Sequence, residues 1–256
     1  MPDLEQHTAD GVLRLTFNRP EVLNAVDGAM MLVLAEALEG ARADDDVRVV
    51  VITGAGAGFS AGADMASLRL APQHPVETMD GASRVIRAVV GLDKPVLAAV
   101  NGVAAGVACS AALASDIIVA AESAAFLLPF SRIGLMTDGG SSATVAASIG
   151  RARAMRMALL AEPLSAQEAL DCGLITHVAP DAEFVDLVDK LARRLAAGPG
   201  IAQSGIKKAI NAATLSHLED TLDREHTGQR ALFTTRDFVE GIDAFAEGRR
   251  PVFRGE

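Results

Sequence analysis

The sequence predicts an α/β protein with a helical C-terminal third. Three observations carry this. Dense β-branched runs such as VRVVVIT (Val47–Thr53) alternate with helix-period segments through the first two thirds, an order that builds a parallel sheet. Beyond residue 150 helical patterns dominate, interrupted by one strand-like run. No Pro-, Gly- or Ser-rich linker, repeat or low-complexity tract divides the 256 residues. The chain therefore reads as one α/β core, residues 1–196, with a helical extension, residues 197–256.

The elements follow in order. VLRLTF (Val12–Phe17) alternates and reads as a strand, and NRPEVLN with Pro20 is a turn. Asp27 is placed to cap a helix to about Arg42, with Met30, Met31, Leu34 and Leu38 at helical spacing. An acidic turn, Ala43–Asp46, leads to the buried strand Val47–Thr53. The Gly-rich loop GAGAGFSAGAD follows, then a short helix and a second one over Val76–Leu92. The apolar stretch Pro95–Ala121 is long enough for a membrane span. Asn101, Ser110, Ser115 and Asp116 punctuate it, so it divides into strand PVLAAV, loop NGVAAG, helix VACSAALAS and strand DIIVAA. A short strand at Ala125–Leu128 precedes the loop PFSRIGLMTDGG and a helix over Ser141–Ile149. Helices are then predicted at Ala152–Ala161, Ala166–Asp171, Ala182–Ala197, Ile201–Thr214, Leu218–Thr234 and Asp237–Glu247, with a strand at Leu174–Val178.

Composition narrows the function classes. The net charge is 23 − 33 = −10, with no Lys/Arg block, which argues against nucleic acid as a partner. The absence of Trp and Tyr removes base-stacking platforms and leaves a core of aliphatic residues and nine Phe. Cys109 and Cys172 match no metal spacing and fit a reducing cytoplasm; Cys109, on an apolar helix, reads as a small core residue. His7, His74, His177, His217 and His226 form no metal pattern, so no metal is expected. The acidic, polar start MPDLEQHTADG is not a signal peptide, and no membrane association is expected.

The Gly-rich loop admits three readings. GAGFSA satisfies a dinucleotide-binding GxGxxA pattern after a strand, but no strand-end acid follows about 20 residues on, and the Tyr of a Tyr-x-x-x-Lys pair is missing. GFSAG (Gly58–Gly62) matches a nucleophile elbow at Ser60, yet GAGA separates it from its strand. In the third reading, the small residues of Ala61-Gly62-Ala63-Asp64 bring backbone N–H groups close to an anion. A second turn of this type, NGVAAG (Asn101–Gly106), also joins a strand to a helix. Two such donors suit a thioester oxyanion.

The series NRPEVLNA, VVVITGAGAGFSAGADM, KPVLAAVNGVAAGVACSAALASDIIVAAESAAF, IGLMTDGG, LSAQEALDCGLITHV and FAEGRRPVF resembles the crotonase (enoyl-CoA hydratase/isomerase) superfamily from about Val12 to Phe253. The resemblance implies a crotonase-like ββα spiral core with a C-terminal helical trimerisation region. It implies an acyl-CoA substrate, no further cofactor, and a homotrimer or a hexamer built as a dimer of trimers. Position by position, the first oxyanion amide falls on Ala63, within the CoA-lining loop that includes Ala61, Asp64, Met65 and Ala66; the second falls on Val107, where many relatives have Gly. Phe253 matches a C-terminal aromatic that packs on a neighbouring subunit's CoA.

The resemblance also bears on the reaction. The two glutamates of the family's hydratases fall on Ser110 and Phe130 here, so the carboxylate pair that handles water is missing. Asp138 in GLMTDGG stands where the family's double-bond isomerases carry one Glu or Asp, and PFSRIGLMTDGGSS looks like that branch, including the phenylacetate-pathway epoxide/oxepin-CoA isomerases. With Ser110, Phe130 and Met136 expected to line the pocket, the latter two making it apolar, Asp138 is expected to have a raised pKa and to act as the acid/base. Enoyl-CoA hydration, a binding protein with little turnover, and a nucleophilic Asp as in acyl-CoA dehalogenases are the alternatives, the last needing a Trp that this chain lacks.

Read without the resemblance, Asp138 would cap the helix that starts near Ser141. Asp64 reads as a loop-fixing acid and Asp116 as structural. Glu122 reads as a surface residue, and Arg151, Arg153 and Arg156 as a solvated helix face.

Overall fold

The computed structural model describes residues 3–70 and 75–256. Strands β1 (Leu4–Ala9) and β2 (Val12–Phe17) form an antiparallel hairpin. Its two-residue turn, Asp10 (φ 51) and Gly11 (φ 79), lies in the left-handed region that such a turn requires. The other strands are β3 (Val49–Gly54), β4 (Val96–Val100), β5 (Val103–Ala105), β6 (Ile117–Ala121), β7 (Ala125–Leu127), β8 (Leu164–Ser165) and β9 (His177–Ala179). A six-stranded sheet of order β1-β2-β3-β4-β6-β9 is parallel from β2 onward, as β-branched runs buried on both faces predict. A second, small sheet of order β5-β7-β8 forms where the second Gly-containing turn leaves the main sheet.

The helices are α1 (Gly28–Ala43), α2 (Met65–Leu70), α3 (Pro75–Gly91), α4 (Gly106–Leu113), α5 (Ser141–Leu160), α6 (Ala166–Asp171), α7 (Phe184–Ala196), α8 (Gly200–Thr214), α9 (Leu218–Leu232) and α10 (Arg236–Glu247). Asp27 caps α1 as expected, its Oδ1 accepting from Met30 N at 2.8 Å. Helix α4 is buried along its whole length, which explains why the Pro95–Ala121 stretch imitates a membrane span. Among the described residues no helix is long and apolar enough to cross a membrane.

Four local expectations are corrected. Strand β1 was not anticipated, because it is an edge strand with one buried residue and so carries no apolar alternation. Residues of the NGVAAG turn pair as β5. The helices expected on either side of Gly150 join as α5, bent where Gly150 takes φ 78. The strand expected at Leu174–Val178 is only His177–Ala179; Leu174 and Ile175 are core residues of the connection before it.

The C-terminal helices fold back on the core. On α8, Lys207 Nζ lies 2.7 Å from Asp116 Oδ2 and donates to the Val89 carbonyl at 2.7 Å, tying the helix to the sheet. Helix α9 packs against α3 and α5, and α10 against the 3-10 turn Pro129–Ile133.

Candidate active site

Two asparagines hold the Gly-rich loop that follows β3. Buried Asn24 donates to the carbonyls of Ala55 and Gly58, both at 2.8 Å. Asn101, from the second turn, donates to Gly56 O at 3.0 Å and accepts from Gly54 N at 3.2 Å. The loops then pair: Ser60 N donates to Val103 O (3.0 Å) and Ala105 N to Ser60 O (2.9 Å). Gly62 (φ 88) packs directly on the second turn, where an added Cβ would lie 2.7 Å from Ala105 O. Only glycine permits that approach.

This contact brings Ala63 and Val107 to the lining of one cavity. The Ala63 N–H meets no backbone carbonyl among the described residues. The Val107 N–H belongs to the first turn of α4, whose amides have no acceptor within the helix. Ser60 is not a nucleophile: it is fully buried and donates to Asn24 O at 2.7 Å. Asp64 fixes the loop as expected, accepting from Ala66 N, Ser67 N and Arg19 Nη2 at 3.1, 3.2 and 3.0 Å. Burial pushes its carboxyl up, but the Ser67 amide, Arg19 and the Ala66 amide outweigh that and hold it below the usual value.

The cavity measures about 360 Å³. Ala61, Ala63 and Met65 form one wall, Ala105, Gly106 and Val107 the floor, and Leu127, Phe130 and Leu135 the far wall. Phe233 and Phe245 reach in from the C-terminal region. Among the described lining residues, Asp138 and Arg132 are the ionisable ones, and Arg132 Nη2 donates to Ala161 O at 2.6 Å.

Asp138 is partly buried, and its two carboxylate oxygens differ. Oδ2 accepts from Gln229 Nε2 at 2.9 Å. Oδ1 is sealed from solvent and has no hydrogen-bond partner. A buried acceptor without a partner is costly, so desolvation favours the neutral acid. Burial, and the nearby Glu225 carboxylate, push the Asp138 carboxyl up to about 7 against the opposing Gln229 bond. Its backbone is held separately, with Asp138 O accepting from Ser110 Oγ and Ser141 Oγ, each at 2.8 Å. The capping reading is therefore corrected: the Asp138 side chain caps nothing. Glu225 on α9 takes that role instead, accepting from Gly140 N at 2.7 Å and Ser142 N at 3.0 Å.

Two expected lining residues are placed elsewhere. Ser110 faces the backbone under the Asp138 turn, buried between Gly106 O and Asp138 O, rather than the cavity. Met136 turns away, filling the space over Gly228, and its N–H donates to Gln229 Oε1 at 3.2 Å. Phe130 does line the cavity, whereas Phe253 lies in the C-terminal tail, 40% exposed and away from the cavity of its own chain. Cys109 is a core residue whose thiol burial raises to about 12. Arg151, Arg153 and Arg156 are exposed, as expected for a solvated face. His226 Nε2 meets Asp80 Oδ1 at 3.0 Å, His74 lies outside the described residues, and no metal-ligating cluster occurs among the described residues.

Gln229 and Glu225 were missed from the sequence. A signal existed: Thr221, Glu225 and Gln229 fall three, seven and eleven residues after Leu218, polar groups on the stripe that α9 buries.

A family model described as enoyl-CoA hydratase/isomerase matches residues 7–256. The chain is 40% identical over 255 residues to the 1,2-epoxyphenylacetyl-CoA isomerase of Escherichia coli K12, covering 98% of this chain and 97% of that protein. It is 35% identical over 245 residues to the 2,3-dehydroadipyl-CoA hydratase of the same organism, covering 95% of each. The crystal structure of an enoyl-CoA hydratase from Mycobacterium avium subsp. paratuberculosis K-10 matches at a TM-score of 0.93 and 47% identity, over 99% of both chains.

Proposed function

The chain belongs to the enoyl-CoA hydratase/isomerase family, and from that membership and its site we infer that it is an enoyl-CoA double-bond isomerase with Asp138 as its single acid/base. One observation supports this most: among the described lining residues the cavity has one carboxylate, Asp138, and its Oδ1 is buried without a hydrogen-bond partner. Both positions where a hydratase would carry glutamate hold Ser110 and Phe130, and Ser110 does not reach the cavity.

The thioester carbonyl lies between the Ala63 and Val107 amides, and Met65 and Ala61 flank the CoA arm. The Asp138 carboxylate takes a proton from the α- or γ-carbon, and the negative charge passes to the thioester oxygen, where the two amides hold the dienolate. The same carboxylic acid returns the proton to the other end of the conjugated system. Substrate and product differ only in double-bond position, so neither water nor a resident cofactor is consumed. A base with a pKa near 7 is matched to both half-steps at neutral pH.

Ile206 and Ile210, one turn apart on α8, are apolar and exposed, which suits burial between the subunits of a homotrimer or a dimer of trimers. In such an assembly Phe253 meets a neighbouring subunit's CoA. A cytoplasmic setting, suited to the free thiols Cys109 and Cys172, completes the reading. Hydration by Asp138 acting on water is the second reading, favoured by the 47% identity to a structure called an enoyl-CoA hydratase.

Asp138→Asn tests the assignment. Affinity for a non-reactive acyl-CoA should stay within a few-fold, while turnover falls at least about 100-fold, as for a lost general base. A variant that keeps most of its activity would overturn the role of Asp138. Binding by a wild type with no turnover on 2- or 3-enoyl-CoA would instead leave a binding protein.

A further inference from the structure

The turn Asp138-Gly139-Gly140 poses a local problem. An aspartate before a helix readily accepts from the N–H two residues on, here Gly140, and so closes an Asx turn. In that state Asp138 would be a satisfied cap and not a base. Gly139 (φ 64) and Gly140 (φ 71) leave the backbone free to allow it. Yet Gly140 N donates to Glu225 Oε2 at 2.7 Å, while Glu225 Oε1 takes Ser142 N at 3.0 Å and Ser142 Oγ. One turn further along α9, Gln229 donates to Asp138 Oδ2 and accepts from Met136 N. Glu225 and Gln229 are both buried and sit four apart on one face of α9.

We propose that Glu225 and Gln229 are paired positioning residues: Glu225 takes the helix amides that Asp138 would otherwise cap, and Gln229 holds Oδ2 so that the carboxyl stays at the cavity wall with Oδ1 unpaired. The inference rests on the reading of Asp138 as the acid/base. Burial pushes the Glu225 carboxyl up as well, against its bonds to Ser142 and Gly140; while ionised it sets a second negative charge beside Asp138 and quenches the positive end of α5, and both effects favour the protonated Asp138. Gln229 acts in the opposite direction, because it donates to the ionised form. Arg224, beside Glu225 on α9, opposes the rise at Glu225 while its Nη2 meets Thr221 Oγ1 at 3.1 Å; His226 meets Asp80, and Arg132 meets the Ala161 carbonyl.

The test is a carboxyl titration by NMR on protein labelled with ¹³C-aspartate, the Asp138 signal being identified by its loss in D138N. The wild type should titrate at about 7. E225Q should move the midpoint down and Q229L should move it up. In E225Q, turnover at pH 7 should fall about tenfold, with acyl-CoA affinity kept within a few-fold. Opposite displacements from two neighbouring side chains are not what general loosening of the turn produces. If E225Q does not fold, the upward displacement in Q229L decides for its half of the pair, and E225D, too short to reach both amides, replaces it for the other. A midpoint unmoved by either variant, or moved the same way by both, overturns the proposal. Because this titration needs no substrate, it fails independently of the catalytic assignment, which falls only if D138N keeps its turnover.

Discussion

Gln229 Nε2 reaches Asp138 Oδ2 across 91 positions of sequence, at 2.9 Å, and through this bond the C-terminal helices become part of the cavity they cover. One carboxylate oxygen is thereby occupied and the other left bare. The division of the chain at residue 197 into a core and a helical extension is therefore incomplete as a description of the cavity, because α9 supplies the hydrogen-bond partner of Asp138.

The bare oxygen has a cost in stability, and its pH dependence follows. Asp138 has an ordinary carboxyl pKa near 3.8 in the unfolded chain and about 7 in the folded one. Between these values the native state binds more protons, so this group's contribution to stability falls as pH rises from about 4 to 7. At pH 8 the folded protein carries the ionised, partner-poor oxygen. D138N should therefore melt higher than wild type at pH 8, with the advantage shrinking towards pH 4. Discounting for partial exposure, we expect about 1 kcal/mol, or about 2–4 °C in Tm. Thermal melts at both pH values check it.

Gly62→Ala should separate the two amide-bearing turns. The substituted residue would need φ 88 and would place its Cβ 2.7 Å from Ala105 O. The strain is about 1–3 kcal/mol, and turnover should drop by more than the melting loss explains, because Ala63 moves relative to Val107. Denaturant unfolding together with steady-state kinetics of the variant separates the two effects.

Lys207→Met offers a contrast. Lys207 and Asp116 form an ion pair whose lysine is 6% exposed and which lies outside the cavity. Removing the lysine leaves the Asp116 carboxylate without its cation, with the Val96 N–H still donating to Oδ2 at 2.7 Å, and should cost on the order of 3 kcal/mol. Turnover per folded molecule should remain within about twofold, which urea unfolding and kinetics at low temperature would show.

Much of this was legible in the sequence because it is local. The β-branched runs, the Asp27 cap and the paired Gly-containing turns are each contiguous signals, whereas Asp138 in GLMTDGG stood out only through the family resemblance, its local context reading as a cap. What was not legible is direction and distance. The sequence does not tell which way a loop side chain turns: Met136 points to α9 because Gly228 leaves room for it, and Ser110 points under the Asp138 turn. Nor does a carboxylate beside a helix start reveal that Glu225, 85 positions beyond Gly140, has already taken the Gly140 amide. Edge strand β1 escaped for a simpler reason, since a strand with one buried side chain shows no alternation.

The most direct measurement of the central claim is NMR of purified protein mixed with a 3-enoyl-CoA, and separately a 2-enoyl-CoA, in deuterated buffer. The account predicts migration of the double bond with no hydroxyl product, any deuterium at the α- or γ-carbon reporting exchange of the Asp138 proton with solvent between the two half-steps. Accumulation of 3-hydroxyacyl-CoA without double-bond migration would contradict it and make the enzyme a hydratase.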